Sequence, residues 1–160
     1  ISKNKTKSVS YDAFENLHKN QILQKSHIPA NISAKLNNQA KEIAKKIANK
    51  LNYIGTMCVE FFVTKKNELL VNEIAPRVHN SGHLTMNAHD VSQFDNHIRA
   101  VCNLKLKKPK RIHKAIMYNI LGDDIKKYRS KETMSNEFFY DYGKKVIKDK
   151  RKMGHLTKIF

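Results

Sequence analysis

The sequence predicts an α+β fold: an antiparallel sheet with flanking helices over residues 1–105, then a small β-rich C-terminal domain over residues 106–160. Three observations carry this. Leu36, Ala40, Ile43, Ala44, Ile47, Ala48 and Leu51 recur at helical spacing with lysines opposite them, the pattern of an amphipathic helix packed on one side. Residues 55–63 and 68–74 alternate in polarity and are joined by Lys65-Lys66-Asn67, which reads as a β-hairpin. Residues 105–110, with Pro109, form a basic linker, and beyond it the pattern changes to short strands.

Taken in order, residues 8–14 are expected to form a strand that leads into the polar cluster Glu15-Asn16-Leu17-His18-Lys19-Asn20. Ser33 is a helix N-cap, since its hydroxyl can accept from an orphan N–H of the first turn, and that helix should end near Asn52. In residues 55–63, Met57, Val59, Phe61 and Val63 take one face, and Cys58, Glu60 and Phe62 the other. Any short hairpin loop sets Glu60 and Glu73 opposite each other or within a couple of positions, so both carboxylates reach one site. Pro76 lacks an N–H and restricts Ala75 to extended conformations, so the chain leaves the sheet there. Arg77, His79, Asn80, Ser81 and His83 then fall in a loop to which Gly82 gives backbone freedom. A second helix is expected from about Ser92, burying Phe94, Ile98, Val101 and Cys102. Residues 114–121, 138–142 and 156–160 complete the strands.

The net charge is +17, yet only Arg77, Arg99, Arg111, Arg129 and Arg151 of the 31 basic residues are arginine. Asn (16) and Ile (15) are abundant along with lysine, as an AT-rich coding sequence would produce. The lysines are scattered instead of forming a stripe with interleaved aromatics, so they read as solvated surface and not as a nucleic-acid track. A non-enzymatic basic module that binds RNA or DNA is the competing class, and it would bind with steep salt dependence. No apolar run approaches the roughly 20 residues of a membrane span, and no secretion signal opens the chain. A cytoplasmic protein without a membrane or nucleic-acid partner is expected. Cys58 and Cys102 lack CxxC spacing, which indicates neither a disulfide framework nor a cysteine metal site. His79, His83 and His89 lack the cysteines or the helical pair that zinc sites show in sequence. The chain opens on Ile1 without methionine, and a piece of a longer protein is expected.

Glu60 sits in the apolar strand Val59-Glu60-Phe61-Phe62, where an unpartnered buried carboxylate would be costly. Either it faces water at a sheet edge, or Glu60 and Glu73 share a divalent cation. Mg²⁺ is commonly held by one or two carboxylates plus substrate phosphates, and Asn72 lies beside Glu73. Arg77 and His79 suit an anion, since a guanidinium matches phosphate and carboxylate geometry. Tyr142-Gly143-Lys144 with Arg151-Lys152-Met153-Gly154-His155 is a further basic cluster, which by itself reads equally as a surface hairpin or as an anion site.

Together these clusters resemble one family, the ATP-grasp enzyme 5-(carboxyamino)imidazole ribonucleotide synthase, the ATPase subunit of phosphoribosylaminoimidazole carboxylase. Glu15-Asn16-Leu17-His18-Lys19-Asn20-Gln21-Ile22-Leu23 is similar to its Glu-Asn-x-His-x-Asn-x-Ile-Leu segment, and Val59-Glu60-Phe61-Phe62 to its first metal strand. Asn72-Glu73-Ile74-Ala75-Pro76-Arg77 with His79-Asn80-Ser81-Gly82-His83 resembles its most diagnostic block, followed by Ser92-Gln93-Phe94 and Arg99-Ala100. Lys148-Asp149-Lys150 replaces the family's usual turn before Arg151.

The resemblance implies the second, C-terminal lobe of an ATP-grasp fold followed by the small β-domain, without the upstream lobe, and hence a piece inactive alone. It implies ATP and Mg²⁺ as cofactors, with Glu60 and Glu73 as metal ligands and His18, Asn72 and Glu73 at the nucleotide. Arg77 and His79 would act in catalysis, and Arg77, Asn80, Ser81, Lys144 and Arg151 would hold substrate. The implied substrates are aminoimidazole ribonucleotide and bicarbonate, in purine biosynthesis, and the implied assembly is a homodimer. Another ATP-grasp carboxylase of purine metabolism is the nearer alternative, against which the Arg-x-His-Asn-Ser-Gly-His block argues.

Overall fold

The computed structural model describes residues 1–130 and 132–160. Its first strands, β1 (Ser2–Lys3) and β2 (Ser8–Val9), join β5 (Gly55–Thr56) in a three-stranded sheet of order β2-β1-β5. Residues 8–14 therefore contribute only two strand residues, and the expected strand there is corrected. The polar cluster after it is the strand: β3 (Glu15–Lys19) pairs antiparallel with β4 (Ile22–Ile28). Asn20 and Gln21, with φ of 51° and 62°, close a two-residue turn that sets Lys19 against Ile22. Such left-handed pairs match the twist of a hairpin. Because β3 is largely exposed at a sheet edge, no apolar alternation marks it.

Helix α1 (Ala34–Lys50) starts where the N-cap reading put it, with the Ser33 hydroxyl accepting from the Leu36 N–H at 3.2 Å. Leu36, Ala40, Ala44 and Ala48 form its buried stripe, while Leu51 is 58% exposed. The expected run 55–63 is broken at buried Met57, whose N–H donates to the Ile1 carbonyl, and it resumes as β6 (Cys58–Val63). β6 forms a two-stranded ribbon with β7 (Leu69–Ala75). Glu60 pairs with Glu73 and Phe61 with Val71, so Asn72 is an extra residue in a bulge of β7.

A 3₁₀ turn (Asn80–Leu84) and the short α2 (Thr85–Ala88) follow, then α3 (Gln93–Val101), capped by Ser92. The buried face of α3 is Gln93, Asn96 and Ala100, not the apolar face expected; Ile98 is 57% and Val101 49% exposed, and Cys102 is exposed beyond the helix. The reason is hydrogen bonding. Buried Asn96 accepts from the Lys107 N–H at 3.1 Å and donates to the Lys107 carbonyl at 3.0 Å and the Tyr11 hydroxyl at 3.1 Å. Satisfied polar groups can outrank apolar ones for an interior position.

The remaining strands are β8 (Ala115–Leu121), β9 (Glu137–Asp141) and β10 (Lys152–Ile159), with α4 (Asp124–Arg129), which the pattern reading missed. They join the β3–β4 hairpin in one five-stranded sheet of order β3-β4-β8-β10-β9, so residues 15–28 and 115–159 share hydrogen bonds. One core cluster gathers Leu23, Ile28, Leu84, Ala88, Ala115 and Met117; a second gathers Ile120, Ile125, Met153 and Leu156. Among the described residues no helix is long and apolar enough to cross a membrane.

Candidate active site

A cleft of about 530 Å³ opens between the β6–β7 ribbon, α1 and the chain leading into β3. His18, Glu60, Asn72, His79 and Ser81 reach its wall, so residues far apart in sequence converge there. Glu60 and Glu73 stand directly across the ribbon, which puts their side chains on one face. Glu60 is the more sheltered, with its side chain 14% exposed, and Glu73 is exposed. His79 Nε2 lies 3.7 Å from Glu60 Oε1. Burial lowers the His79 pKa, with Glu60 the main opposing influence and Glu73 a smaller one.

The loop after β7 is held by one amide. Gln93 Oε1 accepts from the His79 N–H at 2.9 Å, and Gln93 Nε2 donates to the His79 carbonyl at 2.7 Å. Gly82, expected to lend the loop backbone freedom, supplies room as well, since a Cβ there would fall 2.5 Å from Gln93 Oε1. The Ser81 hydroxyl is 2.8 Å from His79 Nδ1. Both ends of the Asn80 amide are buried without a hydrogen-bond partner among the described residues. Arg77 is exposed, and its guanidinium donates to the Val78 carbonyl.

The C-terminal sheet closes in from the other side. Lys152 is half-buried; burial lowers its pKa, the Arg77 charge lowers it further, Glu60 opposes this and Lys144 adds to it. Lys144 Nζ donates to the Lys152 carbonyl. Arg77, Lys144 and Lys152 thus gather positive charge beside Glu60. Arg151 is exposed and donates to the Val146 carbonyl at 3.1 Å. Lys150 adopts φ of 59° in the turn before it.

Behind the loop lies a chain of half-buried rings that ends on the buried His155. The Tyr142 hydroxyl is 3.1 Å from His83 Nδ1 and 2.9 Å from His155 Nδ1, and Tyr140 stacks on His155 with centroids 4.7 Å apart. Burial pushes His83 down to about 4 and His155 to about 3, and Tyr142 up to about 12, so all three are neutral at pH 7. One hydroxyl proton serves two imidazoles, so Tyr142 donates to one and accepts from the other. His155 Nε2 is buried without a partner among the described residues, and an orphaned N–H is rarer than an orphaned lone pair. Hydrogen bonding therefore assigns the proton of His155 to Nδ1, directs the Tyr142 O–H to His83 Nδ1, and leaves His83 an Nε2–H donor.

The pattern reading gave no role to Lys152, Gln93, Cys58 or the Tyr142–His155 pair. Lys152 is one lysine among many, and a buried glutamine after an N-cap serine leaves no periodic trace.

Residues 1–94 match the ATP-grasp domain, and residues 115–160 match the phosphoribosylaminoimidazole carboxylase C-terminal domain. The chain is 44% identical over 149 residues to the N5-carboxyaminoimidazole ribonucleotide synthase of Bacillus subtilis (strain 168), covering 92% of this chain and 39% of that protein. It is 45% identical to the synthase of the same name from Brucella melitensis, covering 93% of this chain and 41% of that one. The N5-carboxyaminoimidazole synthetase of Staphylococcus aureus, solved with ADP, superposes with a TM-score of 0.92 at 40% identity, over 99% of this chain and 44% of that one. The Aspergillus clavatus synthase, solved with ADP and 5-aminoimidazole ribonucleotide, gives 0.94 at 30% identity, over 99% and 45%. The chain spans about two fifths of the length of the curated relatives it matches.

Proposed function

This chain belongs to the ATP-grasp family, and from that premise we propose that it contributes the second lobe and C-terminal domain of an N5-carboxyaminoimidazole ribonucleotide synthase. In this reading residues 1–105 form the lobe and residues 106–160 the small domain. The observation that carries it is Glu60 on the cleft wall, paired across the ribbon with Glu73 and within the electrostatic reach of Lys152. Bicarbonate is a poor electrophile, so the reaction first transfers the γ-phosphoryl group of ATP to it, giving carboxyphosphate and ADP. Carboxyphosphate, or CO₂ released from it, then forms the bond to the exocyclic amine of aminoimidazole ribonucleotide, with loss of phosphate and an amine proton.

The residues fit these tasks. Two carboxylates on one face, beside the amide of Asn72, are an oxygen donor set of the kind Mg²⁺ takes with phosphates. Bound there, magnesium would neutralise charge on the transferring phosphoryl group. His18 and Asn72, both on the cleft wall, contact the nucleotide. Arg77 and His79 hold the bicarbonate-derived group, and the unpartnered amide of Asn80, with Ser81, is kept for substrate. Lys144, Arg151 and, we add, Lys152 take the ribonucleotide phosphate. A water-poor cleft matters because carboxyphosphate otherwise hydrolyses. The reading carries with it a cytoplasmic homodimer that binds no nucleic acid, which sedimentation and an oligonucleotide salt titration check.

The test uses these residues within a protein of the relatives' full length. Glu73→Gln should lower ribonucleotide-dependent ATP turnover on the order of 100-fold or more with the circular dichroism unchanged. Near-normal turnover would remove the assignment. Arg151→Ala should raise the KM for the ribonucleotide about tenfold, the loss of one charge-assisted contact, and leave that for ATP nearly unchanged.

A further inference from the structure

Cys58, Glu60 and His79 bring a thiol, a carboxylate and an imidazole within 4.8 Å of one another on the cleft wall. Cys58 and Glu60 are two apart on β6 and share its face; His79 arrives from the loop after β7. The Ser81 hydroxyl bonds His79 Nδ1 at 2.8 Å and also the Cys58 thiol. That leaves His79 Nε2 as the nitrogen turned toward Glu60, at 3.7 Å. The Ser81 N–H also approaches Nδ1, at 3.4 Å; a metal-bound histidine donates from its other ring nitrogen, so binding through Nε2 takes the tautomer whose Nδ1–H donates to the Ser81 hydroxyl. The Glu60 and His79 side chains are 14% and 13% exposed, so packing already holds two of the three donors.

The donor set selects the ion. Mg²⁺ takes oxygen ligands, whereas sulfur, nitrogen and oxygen together suit a borderline ion with tetrahedral preference, above all Zn²⁺. Bonds of about 2.0–2.3 Å at tetrahedral angles set ligand atoms about 3.3–3.8 Å apart, a spacing the present cluster reaches by small side-chain rotations. Thiolate and carboxylate would together balance the charge of the ion. Burial pushes the Cys58 thiol up to about 11, so the ion itself must displace the proton, as coordinating metals do.

We propose that Cys58, Glu60 and His79 form a zinc site whose fourth position opens to the cleft, and that its occupation withdraws Glu60 from the carboxylate pair. The zinc site stands on its own; the withdrawal of Glu60 rests on the magnesium reading above. Cobalt(II) serves as the probe. Added to the 160-residue chain, it should produce a near-ultraviolet thiolate-to-cobalt charge-transfer band with the visible bands of a tetrahedral site, and equimolar zinc should bleach them. Cys58→Ser should abolish the charge-transfer band, and Cys102→Ser, at an exposed position past α3, should keep it. Glu60→Gln should keep the band and weaken cobalt affinity about tenfold. Absence of the band in the folded unaltered chain, or its survival in Cys58→Ser, overturns the site. Excess magnesium should diminish the cobalt band through the shared Glu60. A band indifferent to magnesium overturns the mutual exclusion while the other arms still decide the zinc site.

Discussion

Gln93 shows how one side chain can hold a loop. It bonds both the N–H and the carbonyl of His79; the carbonyl also accepts from the Gly82 N–H at 3.0 Å, so Gln93→Leu leaves the sheltered His79 N–H without its partner. Such an orphaned donor costs about 1–3 kcal/mol, and urea denaturation should show a loss in that range, with the cleft-wall histidine loosened. His83 and His155 give a residue-scale prediction in pH. Their folded values, about 4 and about 3, lie below the ordinary 6.5. Between those limits the unfolded chain binds more protons than the native one, so stability is fully present above about 6.5 and is lost as pH falls. The slope is at most about 1.4 kcal/mol per pH unit for each histidine. The urea midpoint should drop between pH 7 and pH 5, and His155→Phe should flatten that drop. A midpoint indifferent to pH would show that the two rings are not held neutral.

At the scale of elements, the β3–β4 hairpin is set by its turn and not by its strands. Gln21 holds a φ of 62°, a region that strains any residue with a Cβ. Gln21→Gly should therefore stabilise the chain by about 0.5–1 kcal/mol, following the Asn-Gly preference of such turns. Thermal unfolding would report it as a raised Tm, and a lowered Tm would mean the glutamine side chain contributes more than its strain costs. This turn also explains why the polar cluster 15–20 carries no strand pattern in the sequence. The strand is polar and exposed, and only its pairing with β4 makes it a strand. The opposite error occurred in α3, where a sound amphipathic pattern faces outward because Asn96 and Gln93 have hydrogen-bonding partners on the inside.

For the molecule as a whole, the important element is β8, which lies between β4 from the first part of the chain and β10 from the last. Met117 on β8 is fully buried in the cluster that holds Leu23, Ile28 and Leu84. Met117→Ala should cost about 2–5 kcal/mol. Because the sheet is continuous, it should lower the hydrogen-exchange protection of β4 and β10 together. Loss of protection confined to β8–β10 would mean that the parts before and after the basic linker unfold as separate units.

The sequence alone determined what local chemistry can encode: the Ser33 cap, the helix behind it, the hairpin that sets Glu60 against Glu73, and the exit at Pro76. Each depends on periodicity, a cap or a backbone restriction acting within a few residues. The resemblance of ordered motifs supplied the family, which residues 1–94 bear out. Tertiary structure decided the rest. It joined β4 to β8, turned the polar face of α3 inward, and brought Lys152 beside Arg77. It also made one cluster of Cys58, Glu60 and His79, whose spacing in the chain suggested no metal site. Those outcomes depend on which buried polar groups find partners across long separations, and no local pattern along the chain records that.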